Sequence, residues 1–300
     1  MRKIIFFGAI ALIAVLLLSF FIAILVGSAI GKGLSMQKEI AVIPITGEIS
    51  SASNSFSTAL SSSEIADKIE GAEDDPRIGA ILLDIDSGGG AVVATKNIVA
   101  KIRSAKKPTV AYINDIGASG AYYVASATSY IIADEDSLTG SIGVLSIIEN
   151  YQGLLEKIGV DVNVLRAGEN KAMANPFEEI TEEQKQMLQS ILDESFSHFK
   201  RDIMEYRSGK LDYRLFSEIS DGRILSGTQA LKIGLIDKTG TRQDAIDKAA
   251  ELAGISGKPV LRAYSKKDFS FSDLFANAGY SFGFGFKKGM ISFEQGLKAQ

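Results

Sequence analysis

The 300-residue chain has no cysteine and a single histidine, His198. The first absence excludes disulfides, thiolate metal sites and cysteine nucleophiles together. With one histidine a multi-histidine metal site is excluded too, and any Ser-His-Asp triad must use His198. That residue falls mid-helix beside Lys200 and Arg201 and reads as part of a solvated face. Excess positive charge is also missing. Thirty-two basic against 36 acidic residues give a net charge of −4, so nothing points to a nucleic-acid partner. There is no internal repeat and no charge run long enough for a disordered arm. What remains is ordinary for a globular chain, 46% hydrophobic and 23% charged, with glycine raised to 29 residues.

Charge is absent altogether from Ile4 to Ile30. At ~1.5 Å per residue this run spans a ~30 Å hydrocarbon core with some tilt to spare. A cleavable signal peptide has a shorter apolar region of about 7–15 residues, so an uncleaved anchor is expected over residues 1–34. Arg2 and Lys3 precede the run, which places the N-terminus in the cytoplasm and the rest of the chain outside.

Beyond the anchor, strand and helix patterns alternate. "IAVIPITGEI" reads as a strand, "SSASNSFSTALSSS" as an exposed loop and "SEIADKIEGAEDD" as a helix. The apolar run "IGAILLDIDSGGG" suits a strand buried on both faces and ending in a glycine turn. Helix "VVATKNIVAKIRSAK", strand "PTVAYIND", helix "SGAYYVASA" and strand "SYIIADED" follow, then helix "NYQGLLEKIG" and strand "VDVNVLRAG". A long helix is predicted over 180–209, with Thr181 and Gln184 as a capping box, and a further helix and strand over 241–265. This βαβ rhythm argues an α/β domain with helices on both faces of a sheet, over residues 35–265.

Within it, "NDIGASGAYYVASA" places Ser119 among small residues at a strand-to-helix turn. It is not the G-x-S-x-G elbow, since glycine is missing two positions after the serine, and "SGGG" is not a phosphate loop. Without histidine, the side chain left to take a serine proton near neutral pH is a lysine. An ordinary lysine, with a pKa of ~10.4, cannot do so. Desolvation lowers that value toward ~5–6 on full burial. Lys171 in "RAGENKAMANPF" is a candidate, amid Gly168, Ala172, Ala174 and Pro176, with Glu169 expected to point away. An oxyanion needs aimed N–H donors, which the turn at Gly88, Gly89 and Gly90 and the residue after the serine, Gly120, can supply.

In order and spacing, the anchor, "DIDSGGG", "DIGASGAYYVASA", "LTGSIGV", "RAGENKAMANPF" and "DGRILSGTQALKIGLID" resemble a signal peptide peptidase A of the short, single-repeat form. The likeness covers about residues 40 to 255. It implies a crotonase/Clp-protease-like βαβ spiral and a Ser-Lys endopeptidase that needs no metal or cofactor. Ser119 falls on the nucleophile, Lys171 on the general base, and Gly89, Gly90 and Gly120 on the oxyanion hole. Ser141 falls on the hydroxyl that orients the lysine, as some third group must. Such proteins often carry proline where this chain has Gly88, which leaves open whether Gly89 or Gly90 donates. The resemblance further implies a homo-oligomeric ring with the dyad shared between protomers, and apolar signal-peptide fragments as substrate.

Tyr122 and Tyr123 are candidates to line the substrate pocket or to pack in the core. The segment 266–300 has aromatics at 269, 271, 275, 280, 282, 284 and 286 among Gly and Ser, too polar to span a membrane. It reads as a tail that packs on an oligomer, lies at the bilayer interface or enters the substrate groove. Two other readings stay open: a Ser-Lys protease acting on a partner membrane protein, and a catalytically silent membrane scaffold. An acyl-CoA enzyme on the same fold is disfavoured by the anchor, because CoA esters are cytosolic.

Overall fold

A computed structural model describes residues 17–19, 38–51 and 60–264. The anchor expected over residues 1–34, the middle of the Ser-rich loop and the aromatic tail therefore lie outside the described residues, apart from 17–19. Among the described residues no helix is long and apolar enough to cross a membrane.

From Glu39 onward the order is β1 (Glu39–Thr46), β2 (Ile49–Ser50), β3 (Leu60–Ser61), α1 (Ser62–Asp74), β4 (Ile78–Ser87), α2 (Val92–Ser104) and β5 (Thr109–Ala118). Then come α3 (Gly120–Ser126), β6 (Tyr130–Ala133), β7 (Leu138–Gly140), α4 (Gln152–Lys157) and α5 (Glu182–Tyr206). The chain continues through α6 (Tyr213–Ile219), β8 (Ile224–Ser226), α7 (Gly227–Ile233), β9 (Lys238–Thr239), α8 (Arg242–Ala253) and β10 (Val260–Ala263). The central sheet runs β10-β1-β4-β5-β6-β9, all parallel; β7 pairs parallel with the end of β5, and β8 antiparallel with β7. The result is an α/β domain on a mixed sheet.

The apolar run of β4 is buried on both faces, as a central parallel strand requires. Alternate residues serve two cores. Ile81, Leu83 and Ile85 pack with Ile65, Ile69, Ile98 and Tyr122 of the helices on one side. Ala80 and Leu82 meet Ala245, Ile246 and Ala249 of α8 on the other.

The helix termini follow their sequence signals. Thr181 and Gln184 cap α5 reciprocally, as expected; Ser226 with Gln229 and Thr241 with Asp244 do the same for α7 and α8. One expected element is absent. "VDVNVLRAG" forms no strand, and residues 160–168 are irregular. Its valines do alternate, but among the described residues no strand lies beside them to complete a ladder, and an isolated strand does not persist in water.

The end of α5 is fastened by a buried ion pair. Arg207, 1% exposed, donates to Asp237 at 2.8 Å and to the carbonyl of Gly234. Asp237 also takes the N–H of Ile131 in β6 and pairs with Lys210. Burial alone would raise the Asp237 pKa; the hydrogen bonds and charge of Arg207 and Lys210 outweigh it and hold the carboxyl below its ordinary value. The adjacent carbonyl of Leu235 accepts from the buried Tyr122 hydroxyl at 2.8 Å, so the same turn holds α3.

Arg207→Met strips the main partner from a buried carboxylate, and the expected loss is about 3 kcal/mol in urea titrations at pH 7. Because the folded pKa is depressed, the pair's contribution is full above the ordinary carboxylate range and is lost as pH falls from there through the lower folded value. The gap between wild type and Arg207→Met therefore narrows on acidification.

Candidate active site

Three parallel strand ends converge. β4 ends in the Gly88–Gly90 turn, β5 runs into Ser119, and β7 runs into Ser141. This is the carboxyl edge of the sheet, where open α/β sheets leave a crevice. The strand expected to stop at Asp115 continues to Ala118, because β7 supplies a partner for residues 116–118.

Ser119 sits where the chain turns from β5 into α3. Its φ of 53° and ψ of −122° are costly for a residue with a β-carbon. Two backbone bonds hold it there: its N–H donates to Gly140 at 2.9 Å, and its carbonyl accepts from Tyr123 at 3.0 Å. The hydroxyl has no partner among the described residues, and it faces a cavity of about 720 Å³. Ser141, also at positive φ (50°), lines the same cavity, its N–H held by the carbonyl of Arg223.

The glycine turn lies directly against this corner. A β-carbon on Gly89, whose φ is 106°, would stand 2.6 Å from the Gly120 nitrogen and 3.0 Å from the Ser119 β-carbon. One on Gly90 would stand 2.0 Å from the Ile49 carbonyl oxygen. One on Gly88 would meet nothing within 4 Å among the described residues. The N–H groups sort as follows. That of Gly89 is committed to the Ser87 hydroxyl at 3.1 Å. That of Gly90 has no acceptor among the described residues, and Gly120, first residue of α3, has no intrahelical acceptor for its own. Both glycines line the cavity. Of the three expected donors, Gly90 and Gly120 are therefore available, while Gly89 shapes the turn.

Lys171 is not among the residues that line this cavity. It lies exposed on a separate concavity of about 350 Å³ with Leu165, Met173 and Ala174. The whole segment from Leu145 to Thr181 buries no residue, and Leu145, Ile147 and Leu165 are 78%, 79% and 96% exposed. It is nonetheless tied to itself, through Tyr151 N–H to the Pro176 carbonyl at 2.7 Å and the Arg166–Glu178 ion pair. Within one chain, Ser119 and Lys171 are not brought together.

Other wall residues carry no sequence signature. Thr95 of α2 abuts Gly120: a β-carbon there would stand 2.8 Å from the Thr95 hydroxyl. Lys96 follows it, half-buried and without an ion pair among the described residues. Glu48 and Asp221 supply negative charge, and the Arg223 guanidinium holds the Asp221 carboxyl at about 2. Ser195 and Phe199 come from α5; only the tertiary packing of that helix brings them in. Of the two candidate tyrosines, Tyr123 lines the cavity while Tyr122 is wholly buried. His198 is half-buried on α5 and not part of the cavity wall.

The clearances at the glycine turn make a graded series. Gly88→Ala is expected to melt within a few degrees of wild type and to keep fluorophosphonate labelling at Ser119. Gly89→Ala, with a positive φ and a backbone clash, is expected to lose about 1–3 kcal/mol in melting and most of its labelling.

Residues 101–256 match the sequence profile of Peptidase family S49. A putative protease of Methanocaldococcus jannaschii is 34% identical over 76% of this chain and 73% of its own length. A putative signal peptide peptidase of Enterococcus faecium is 33% identical over 58% of this chain and 51% of its own length. In fold, the chain resembles two solved structures of a membrane-bound stomatin-specific protease. One is a serine-to-alanine mutant, with a TM-score of 0.50 and 17% identity over 77% of this chain and 99% of the other. The second is a lysine-to-alanine mutant in complex with a substrate peptide, with a TM-score of 0.50 and 19% identity over 80% and 96%. With more than half of its length matching the family profile, and a putative protease matched along most of both chains, this chain belongs to peptidase family S49.

Proposed function

We propose that this peptidase is a membrane-anchored, self-assembling serine endopeptidase whose active site pairs Ser119 of one chain with Lys171 of its neighbour. The observation that carries the reading is the divided site. A strained serine faces a cavity with two available N–H groups, while the candidate lysine stands outside that cavity on an arm that buries nothing. Exposed large apolar side chains gathered on one segment, as Leu145, Ile147 and Leu165 are on this arm, mark an interaction face. A second copy is the partner that supplies the missing base. Covering the arm with that copy also shuts water away from the Lys171 amine.

In this reading the Ser119 Oγ attacks the scissile carbonyl carbon as the Lys171 amine takes its proton. The oxyanion is held by the N–H groups of Gly90 and Gly120. Lys171 then passes the proton to the leaving amine, and the C–N bond breaks to leave an ester on Ser119. Water attacks the ester, giving its proton to Lys171; the acid is released and the proton returns to Ser119. Ser141, at the cavity wall, orients the lysine amine. Neither a metal nor a cofactor takes part.

For substrate, the proposal is apolar remnants of signal peptides. It is supported by the likeness to the Enterococcus faecium relative and by the apolar run of residues 4–30, which would tether the enzyme beside such fragments. The N-terminus would be cytoplasmic and the peptidase domain extracytoplasmic, with assembly as a ring of the short, single-repeat type. The solved structures named for a stomatin-specific protease support a shared fold, and they make cleavage of a partner membrane protein the alternative to test.

Fluorophosphonate labelling and hydrolysis of an apolar signal-peptide fragment are expected to be lost in both Ser119→Ala and Lys171→Ala. Co-assembling those two inactive chains is expected to restore activity at about a quarter of the sites, from random pairing of intact serine with intact lysine. No recovery would show that the two groups act within one chain. Labelling that persists in Ser119→Ala would remove the serine from the mechanism.

A further inference from the structure

Helix α5 is the stalk of the arm that carries Lys171, and among the described residues it is held to the domain near its C-terminal end. Of its 25 residues, Phe199, Asp202 and Ile203 are the buried ones. Its first 13 residues, Glu182 to Glu194, bury nothing, and Glu182 lies roughly 30 Å from Asp202 at ~1.5 Å per residue. The direction of the stalk is therefore set by a few contacts at its base.

One of those contacts reaches the nucleophile's own helix. Tyr123, one turn after Ser119 and bonded to its carbonyl, donates its hydroxyl to the Asp202 carboxylate of α5. Both residues are buried, at 5% and 8% exposure. The second carboxylate oxygen of Asp202 is taken by Arg201, at 3.0 and 2.8 Å. Burial, then the bond to Asp202, drive the phenol far above its ordinary pKa, so it stays a donor at any working pH. The Tyr123 ring lies between Phe199, 5.1 Å away and tilted, and Tyr206, stacked at 6.2 Å. Ring contacts of this kind tolerate sliding, whereas a hydrogen bond to a charged group is directional and roughly twice as strong as a neutral one.

We propose that the Tyr123–Asp202 hydrogen bond is a positioning contact, which sets the angle of α5 relative to Ser119 and so registers the lysine that each chain delivers to its neighbour. The proposal rests on the Ser119–Lys171 reading above. Lever geometry gives it force. A pivot of about 2° at Asp202 moves the far end of the stalk by about 1 Å, and a misplacement of ~1 Å costs on the order of 100-fold in rate.

The test uses the full chain hydrolysing a fluorogenic apolar peptide. Tyr123→Phe keeps the ring and the fold. It is expected to lower kcat about tenfold or more while KM stays within about twofold. Asp202→Asn keeps an accepting oxygen and is expected to retain most of the rate. The double variant is expected to be no slower than Tyr123→Phe alone, since both changes act on one bond. Because the chain has no cysteine, Asp67→Cys and Gln186→Cys give one pair of spin labels per chain, one on α1 and one on the stalk, with labelled chains diluted into unlabelled ones. Their distance distribution is expected to shift or broaden in Tyr123→Phe. A wild-type kcat in Tyr123→Phe overturns the proposal; so does a raised KM alone, or a lower kcat with unchanged label distances. Turnover that persists in Ser119→Ala or Lys171→Ala is a separate result, which overturns the dyad itself.

Discussion

The site depends on a contact that leaves no room for a β-carbon. The turn after β4 presses against the corner where β5 becomes α3, and a methyl group on Gly89 would sit 2.6 Å from the Gly120 nitrogen. Glycine at this point lets two backbone segments meet at close range and leaves N–H groups facing one cavity. The parallel pairing of β4 with β5, and of β5 with β7, holds the approach from both sides. Ser119 accepts an unfavourable φ/ψ because its N–H and carbonyl are both bonded within that frame. Strain at one residue is affordable where the two cores beneath it bury so many branched aliphatic side chains.

The second organising feature is a division between a domain that satisfies itself and an arm that does not. Each face of the sheet is covered by helices, and α3 is clamped through Tyr122 to the turn that Arg207 and Asp237 hold. Residues 145–181 are bonded to one another yet offer their apolar side chains to solvent. Burying an aliphatic side chain is worth about 1.5–3 kcal/mol, so a surface of this kind gains substantially from being covered. In the proposed reading that gain is also the switch for catalysis: an isolated chain has the serine and its N–H donors, and assembly brings the base.

Much of this was legible in the sequence, for reasons that differ by element. β4 is readable because an uninterrupted apolar run has few other solutions in a parallel sheet. The start of α5 is readable because Thr181 and Gln184 can cap each other over three residues. The exclusion of histidine and cysteine chemistry needs only a count. The strand at 160–168 was misread because alternation records a preference for pairing and not the presence of a partner. Residues such as Thr95, Lys96 and Phe199 carry no local mark, since each occupies an ordinary helical position.

What the amino-acid order determined by itself is a short list of groups: a serine at a small-residue turn, a glycine cluster closing a buried strand, and, in the proposed reading, a lysine as the base. Those follow from residue identity and short-range pattern. Only the tertiary structure decided how the glycine turn meets the serine corner, because a β-carbon on Gly89 would run into the Gly120 nitrogen and one on Gly90 into the Ile49 carbonyl. Only it placed Lys171 outside the cavity of Ser119 in a single chain, since that depends on where a 25-residue stalk points. Distances between residues far apart in sequence are set by packing across the sheet, and no local pattern encodes them.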